Sequence, residues 1–301
     1  MAQSILNESG RCIYCGVARY DGSGAALATE HVIPFSLNGN LLLANASCRQ
    51  CERKINQFES ACARTIFGPI RYHLGMRSRN PRSRPDTLPV TLKFQGLPDL
   101  TQAIPVSEFP VFTALLRSNY PAIIGVDRPL ANQEIDIWLP NGADQLNEML
   151  EVIRRRYNAT SIALCYHLRV DYYNRLLAKI AHGFASAFCI PNTLQPLLVK
   201  LILQGYAAQQ ERETSQLLIG MDWRTPNNTH GNLHSLEFVP ARIGNATLLF
   251  VRVGLFDLSS GSDSARMVGV GWLRSPADIP TATYVELLPA SISAKVFGLN
   301  K

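Results

Sequence analysis

Two pairs of cysteines, Cys12-Ile13-Tyr14-Cys15 and Cys48-Arg49-Gln50-Cys51, carry the clearest chemistry in this 301-residue chain. Each CxxC knuckle bends the backbone so that both sulfurs face one ion, and four thiolates make a closed tetrahedral set for a structural Zn²⁺. Residues 16–47 separate the pairs, a longer stretch than the ~15–20 residues of a compact zinc ribbon, so another element must be looped between them. The competing readings are four buried reduced cysteines, a disulfide framework and a thioredoxin-type redox pair. A disulfide framework belongs to small secreted chains without core enough of their own. MAQSILNESGRC has no basic region followed by an apolar one, so no secretory signal is expected. No βαβ pattern surrounds either pair, which speaks against the redox motif.

Between the pairs stand Thr29-Glu30-His31-Val32-Ile33-Pro34, then Asn38-Gly39-Asn40 and Leu41-Leu42-Leu43-Ala44-Asn45; Glu52-Arg53-Lys54-Ile55-Asn56-Gln57-Phe58-Glu59 follows the fourth cysteine. In this order the residues resemble the HNH endonuclease family, in its zinc-stapled ββα-metal form, over about residues 10–60. The resemblance implies that His31 is the general base and that Glu30, on the other side of the strand, helps hold a catalytic divalent ion. It implies that Asn45 orients the base, with Asn40 as a rival. Family members often have Asn directly after the fourth cysteine; this chain departs with Glu52 there and has Asn56 one turn later. Elementary chemistry is consistent with these roles. A histidine with pKa near 6.5 can deprotonate water, and a divalent ion on the scissile phosphate can stabilise the leaving 3′-oxygen. Glu52 and Asn56 stand at i and i+4 on one helix face, with Glu59 at i+7. Their oxygens suit Mg²⁺ or Mn²⁺ better than Zn²⁺. A solvated helix face paired with Arg53 and Lys54 would explain the same acids.

The expected function is therefore metal-dependent hydrolysis of phosphodiester bonds in DNA, with RNA open as the substrate. One module holds one active site, so double-strand cutting calls for a homodimer, formed through residues 91–301, or for two sequential nicks. Family analogy alone suggests phage defence or mobile-element biology. The second hypothesis is a non-catalytic zinc module that binds nucleic acid and carries a protein-interaction domain.

Charge is distributed to match. The chain's net charge is +6, and residues 1–90 hold 11 Lys and Arg against 6 Asp and Glu, a balance of +5. Arg53, Lys54, Arg64, Arg71, Arg77 and Arg79 are the candidate phosphate contacts, because guanidinium forks fit phosphate oxygens. The block from Arg64 to Arg84 is free of acids, and Pro81 and Pro85 forbid a continuous helix through it. A solvated basic linker is the competing reading.

These residues need elements to position them. The expected fold is α+β. Residues 1–65 form a zinc-stapled β-hairpin and helix, residues 66–90 a basic Arg/Pro-rich linker, and residues 91–301 a larger mixed accessory domain ending in an antiparallel sheet. Apolar spacing predicts helices over 144–157, 170–188 and 194–209, and strands in HSLEFVPARI, ATLLFVRVGLFDL, ARMVGVGWL and TYVELLP. VTLKF, AIIGV and EIDIWL read as short β runs. His182 reads as a packing or surface residue, His230 and His234 as loop residues, and Arg154–Arg156 as a solvated helix end. Hydrophobic residues at 47% and charged residues at 17% exclude a disordered chain, and no apolar run approaches the ~18 residues of a membrane span, so a cytoplasmic protein is expected. Residues 91–301 contain no phosphate loop, GxSxG, HExxH or GxGxxG motif. Their open roles are target selection, dimerisation and sensing.

Overall fold

The computed structural model describes residues 3–287 apart from 8, 117, 127–134, 139–141, 165–167, 225–231 and 257–264. The elements in chain order are β1 (Gln3–Leu6), β2 (Ala28–His31), β3 (Leu41–Ser47), α1 (Arg49–Arg64), α2 (Gly68–His73), β4 (Thr87–Phe94), β5 (Leu97–Pro105), β6 (Thr113–Leu116), β7 (Ile135–Trp138), α3 (Gly142–Arg156), β8 (Ser161–Ala163), α4 (Val170–Phe188), β9 (Leu194–Pro196), α5 (Val199–Ile202), α6 (Ala208–Leu218), β10 (Ile219–Met221), β11 (Asn232–Ile243), β12 (Ala246–Leu255), β13 (Arg266–Leu273) and β14 (Thr283–Leu287). The fold is mixed α+β with largely antiparallel sheets. Among the described residues, no helix is long and apolar enough to cross a membrane. Cys165 and His230 lie outside the described residues.

The N-terminal unit is a hairpin followed by a helix. β2 runs antiparallel to β3, and β1 adds to the other edge of β3 in parallel. The hairpin connection includes a 3-10 turn at Phe35–Leu37, closed by Asn38 in the left-handed conformation (φ 66°). Gly39 comes next because a Cβ there would fall 2.0 Å from the Ile33 carbonyl oxygen. Helix α1 starts directly at the second cysteine pair and buries Cys51, Ile55, Phe58 and Cys62. That 4-3-4 spacing is one apolar stripe of a 3.6-residue helix.

The stripe packs on α4, and here the arrangement departs from the expected boundaries. In place of a break at residue 65, one apolar core runs from Cys12 and Ile33 through Phe67 and Ile70 to Phe184, Val251 and Val270. Ile66, Phe67, Ile70, Leu74 and Met76, expected in the linker, are all buried in it. Their apolar spacing was hidden among the arginines. α4 lies between α1 and the strands β12 and β13, and its residues 175–185 are buried on every face. A helix buried all round belongs inside a core, not on its surface.

Three further sheets are found among the described residues, the smallest being the two-stranded β6–β7 pair. β10-β13-β12-β11-β14 form an antiparallel sheet with β9 added at β13. β4, β5 and β8 form a second sheet whose apolar side, with Phe109, Phe112 and Ile153, makes a separate small core. β4, β5, α3 and β8, with Phe109 and Phe112, thus form a lobe inserted between the parts of the chain that build most of the main core, to which Val111 and Ile123 also contribute. The helix expected over 194–209 is instead β9, the short α5 and the start of α6. Pro196 supplies no backbone N–H to a helix, and Gln204 adopts φ 59° at the end of α5. AIIGV contains a 3-10 turn, not a strand.

His234, expected in a loop, is fully buried in β11. Its Nε2–H donates to the Leu37 carbonyl at 2.7 Å, pinning the hairpin turn to the C-terminal sheet. Burial pushes its pKa down to about 4. The folded protein therefore binds fewer protons than the unfolded chain between that value and the ordinary ~6.5. The stability held by neutral His234 is full above pH ~6.5 and drains away as pH falls towards 4. Replacing His234 by Phe should leave the Leu37 carbonyl unpaired, cost about 1–3 kcal/mol in urea unfolding at pH 7 and flatten this acid dependence. A variant as stable as the parent, with an unchanged pH profile, would contradict the assignment.

Candidate metal centre and adjoining pocket

The four cysteines converge at the base of the hairpin. The sulfurs of Cys12, Cys15, Cys48 and Cys51 all lie within 4.8 Å of one another, and three of the four residues are buried. The first knuckle closes with Gly16 at φ 76° and a hydrogen bond from its N–H to the Cys12 carbonyl at 2.9 Å. The second knuckle is the first turn of α1. A tetrahedral Zn²⁺ with bonds of about 2.3 Å sets its sulfurs about 3.8 Å apart. The Cys15–Cys48 sulfur separation of 3.5 Å and the compactness of the whole set fit such an ion. The hydrogen bond from Cys51 holds the Cys12 thiol below the ordinary cysteine range. Cys62 takes no part; burial pushes its pKa up to about 12.

Beside the cluster, His31 opens onto a pocket of about 330 Å³. Glu30, Glu52, Asn56, Arg64 and Arg79 line the same pocket, so most of the residues singled out by sequence do meet. The His31 ring packs edge-on against Phe35 at 5.5 Å, and the Arg77 guanidinium covers the other ring at 4.7 Å. Burial, with the positive charges of Lys179, Arg79 and Arg77, pushes the His31 pKa down to about 4. The imidazole is therefore neutral at physiological pH and able to accept a proton.

The carboxylates are arranged differently from the expectation. Glu30 is buried, and its carboxylate meets the Lys179 ammonium at 2.7 Å; Glu59 meets the same ammonium at 2.9 Å. Lys179 comes from α4, is fully buried, and also donates to the carbonyls of His31 and Val32. Burial alone would lower the lysine pKa, but the two glutamates more than offset it and raise it. Glu52 accepts a hydrogen bond from the Tyr20 hydroxyl at 2.7 Å. Among the described residues, the four cysteines are the only group of three or more His, Cys, Asp or Glu side chains placed to hold a metal ion. Glu30 is thus held by a lysine where a divalent ion had been expected.

Several other expected residues serve the fold. Asn45 sits at φ 54° where the β2–β3 register shifts; its side chain is exposed and does not line the pocket. Its carbonyl accepts from Asn7 at 2.9 Å. Asn40, its rival, accepts from Arg77 at 2.7 Å. Arg71 is buried and donates to the carbonyls of Ser36 at 2.6 Å and Ala63 at 2.7 Å, bracing the hairpin turn against α1. Arg77 similarly grips the Gly39 carbonyl at 2.9 Å. Arg53 is exposed outside the pocket lining, and Lys54 donates to Leu203 at 3.2 Å. Sequence reasoning missed Lys179, although Arg175, Lys179 and His182 recur at i, i+4 and i+7 in an otherwise apolar helix. Arg84, at the end of the basic block singled out in the sequence, lines the pocket rim with Arg64 and Arg79.

Two outcomes follow from this arrangement. Protein purified without chelator should carry a single zinc ion per chain by atomic absorption, and Cys48→Ser should lose it together with thermal stability; a zinc-free but equally stable parent would exclude the metal centre. Lys179→Met should destabilise the protein by about 3–5 kcal/mol in urea, because it leaves the buried Glu30 and the partly buried Glu59 without their cation. Adding Glu30→Gln and Glu59→Gln should recover most of that loss, and a Lys179→Met protein within error of the parent would show that the ion pair is not holding the fold. Comparison with family models, with curated proteins and with solved structures finds no match for this chain, so its chemistry has to be argued from the thiol cluster and the pocket beside it.

Proposed function

We propose that the protein is an endonuclease that hydrolyses phosphodiester bonds in DNA at the His31 pocket. The observation that carries this reading is a neutral, half-buried histidine beside a polar pocket whose rim holds Arg64, Arg79 and Arg84, next to a four-thiol cluster suited to structural zinc. His31 would take the proton from the attacking water. A pKa near 4 makes it a weak base in the free protein, but a bound phosphodiester would offset the charge of Arg77 and Arg79 and raise it. The rim arginines would hold the nucleic-acid backbone by charge-assisted hydrogen bonds that weaken with salt.

Mg²⁺ commonly binds through one or two carboxylates together with substrate phosphates. In this pocket Glu52 and Asn56 are the groups that would hold it, with Glu30 committed to Lys179. Such an ion would stabilise charge on the leaving oxygen. The engagement of Glu30 by Lys179 is also the observation that favours the second reading, a zinc module that binds nucleic acid without cutting it.

A plasmid-nicking assay separates the two. With Mg²⁺ or Mn²⁺ the parent should nick, EDTA should stop it, and His31→Ala should lower the rate by about 10²–10⁴-fold with zinc content and melting unchanged. Nicking by His31→Ala at the parental rate would sink the assignment; salt-sensitive binding without any nicking would establish the second reading.

A further inference from the structure

The walls of the His31 pocket are built by the hairpin, by α1, and by the stretch from Arg71 to Arg84 that ends α2 and follows it. Arg71 is spent on the Ser36 and Ala63 carbonyls. The cations left to meet a ligand are Arg64 and Arg79, both exposed, and the half-buried Arg84. They share the lining with two half-buried aromatic rings, Phe35 and Tyr72. Phe35 is already packed by His31 and Arg77. The Tyr72 ring is seated against Gly68, one turn earlier in α2, where a Cβ would stand 3.5 Å from the ring's Cε2.

Arginines and an aromatic ring in one pocket are the pairing that holds an unpaired strand: the cations meet the backbone and the ring stacks on a base. A duplex offers only base edges in its grooves, because each base face is covered by its neighbours. It also carries a charge every ~1.7 Å of its axis and is held by surfaces that meet many phosphates. Here three arginines stand at one pocket, and residues 91–301 hold 18 Lys and Arg against 17 Asp and Glu, so the rest of the chain adds almost no positive excess. A pocket of about 330 Å³ has room for a group of small-molecule size, a nucleotide and not a base-paired helix. We propose that the His31 pocket takes single-stranded DNA, with the backbone on Arg64, Arg79 and Arg84 and an unpaired base on the Tyr72 ring. The proposal rests on the reading of this pocket as a nucleic-acid site and names its substrate class; a plasmid offers such a strand where negative supercoiling opens it.

The test is fluorescence anisotropy of the full chain without added Mg²⁺ or Mn²⁺, so that binding is read without cutting. The probes are a labelled mixed-sequence single strand of about 15 nucleotides and the blunt duplex made from it. The single strand should bind about tenfold or more tightly than the duplex, ~1.4 kcal/mol. Tyr72→Leu, which keeps apolar bulk but has no aromatic face, should lose about that tenfold on the single strand and leave duplex binding unchanged. Tyr72→Phe should bind as the parent does. If Tyr72→Leu does not fold, the parent's own preference decides. Duplex bound as tightly as single strand, or a folded Tyr72→Leu with the parental preference, overturns the proposal and leaves the nuclease reading standing. No binding of either DNA overturns both. Preference for the single strand with no cutting once Mg²⁺ or Mn²⁺ is added supports the proposal and removes the nuclease reading alone.

Discussion

The ammonium of Lys179 is the point on which the rest of the structure turns. It is fully buried, touches the carboxylates of Glu30 and Glu59, and bonds the backbone carbonyls of His31 and Val32. Two acids from the N-terminal unit could not be buried together without a cation between them, since an unpaired buried charge costs several kcal/mol. The cation comes from α4, and α4 is itself buried only because the C-terminal sheet covers it. The setting of His31 is therefore a property of the whole chain. His182, whose Nε2–H donates to the Ile13 carbonyl at 2.7 Å, and His234, which holds the Leu37 carbonyl, repeat the same device at two other places.

Much of the site was legible in the sequence where the signal was local. The cysteine pairs had the spacing of a metal knuckle, and their sulfurs do converge. The limits of α4 and of the C-terminal strands followed from apolar periodicity. Less legible were the residues whose partner is distant. Glu30 looked like a metal ligand because a strand pattern cannot disclose that a lysine 149 positions later will reach it. Arg71 and Arg77 looked like phosphate contacts because an arginine gripping carbonyls and one gripping phosphate are the same letter. Asn45 was assigned a side-chain role, whereas its backbone carries the strand irregularity. The polar stripe of α4 was the one long-range clue, since charged residues at helical spacing in an apolar helix must find buried partners.

Among the described residues, two cavities share no lining residue. The His31 pocket is bounded by the N-terminal hairpin, α1 and the arginine rim, while a larger cavity is bounded by α4, α6 and the segment around Tyr120. One helix serves both, with Arg175 at one and Lys179, a single turn further on, beside the other. Arg175 and Lys179 of α4 are thus each committed to carboxylate partners.

The separation of Lys179 from His31 along the chain also has a meaning in time. The two residues are 148 positions apart. At a synthesis rate of about 5–20 residues per second, the cysteine cluster leaves the ribosome many seconds before the lysine that settles the neighbouring acids exists. A growing chain can therefore bring its four cysteines together early, but the strand bearing His31 reaches its final electrostatic environment only after the inserted lobe and α4 have been made. The order of synthesis keeps the His31 pocket unfinished until most of the protein is present.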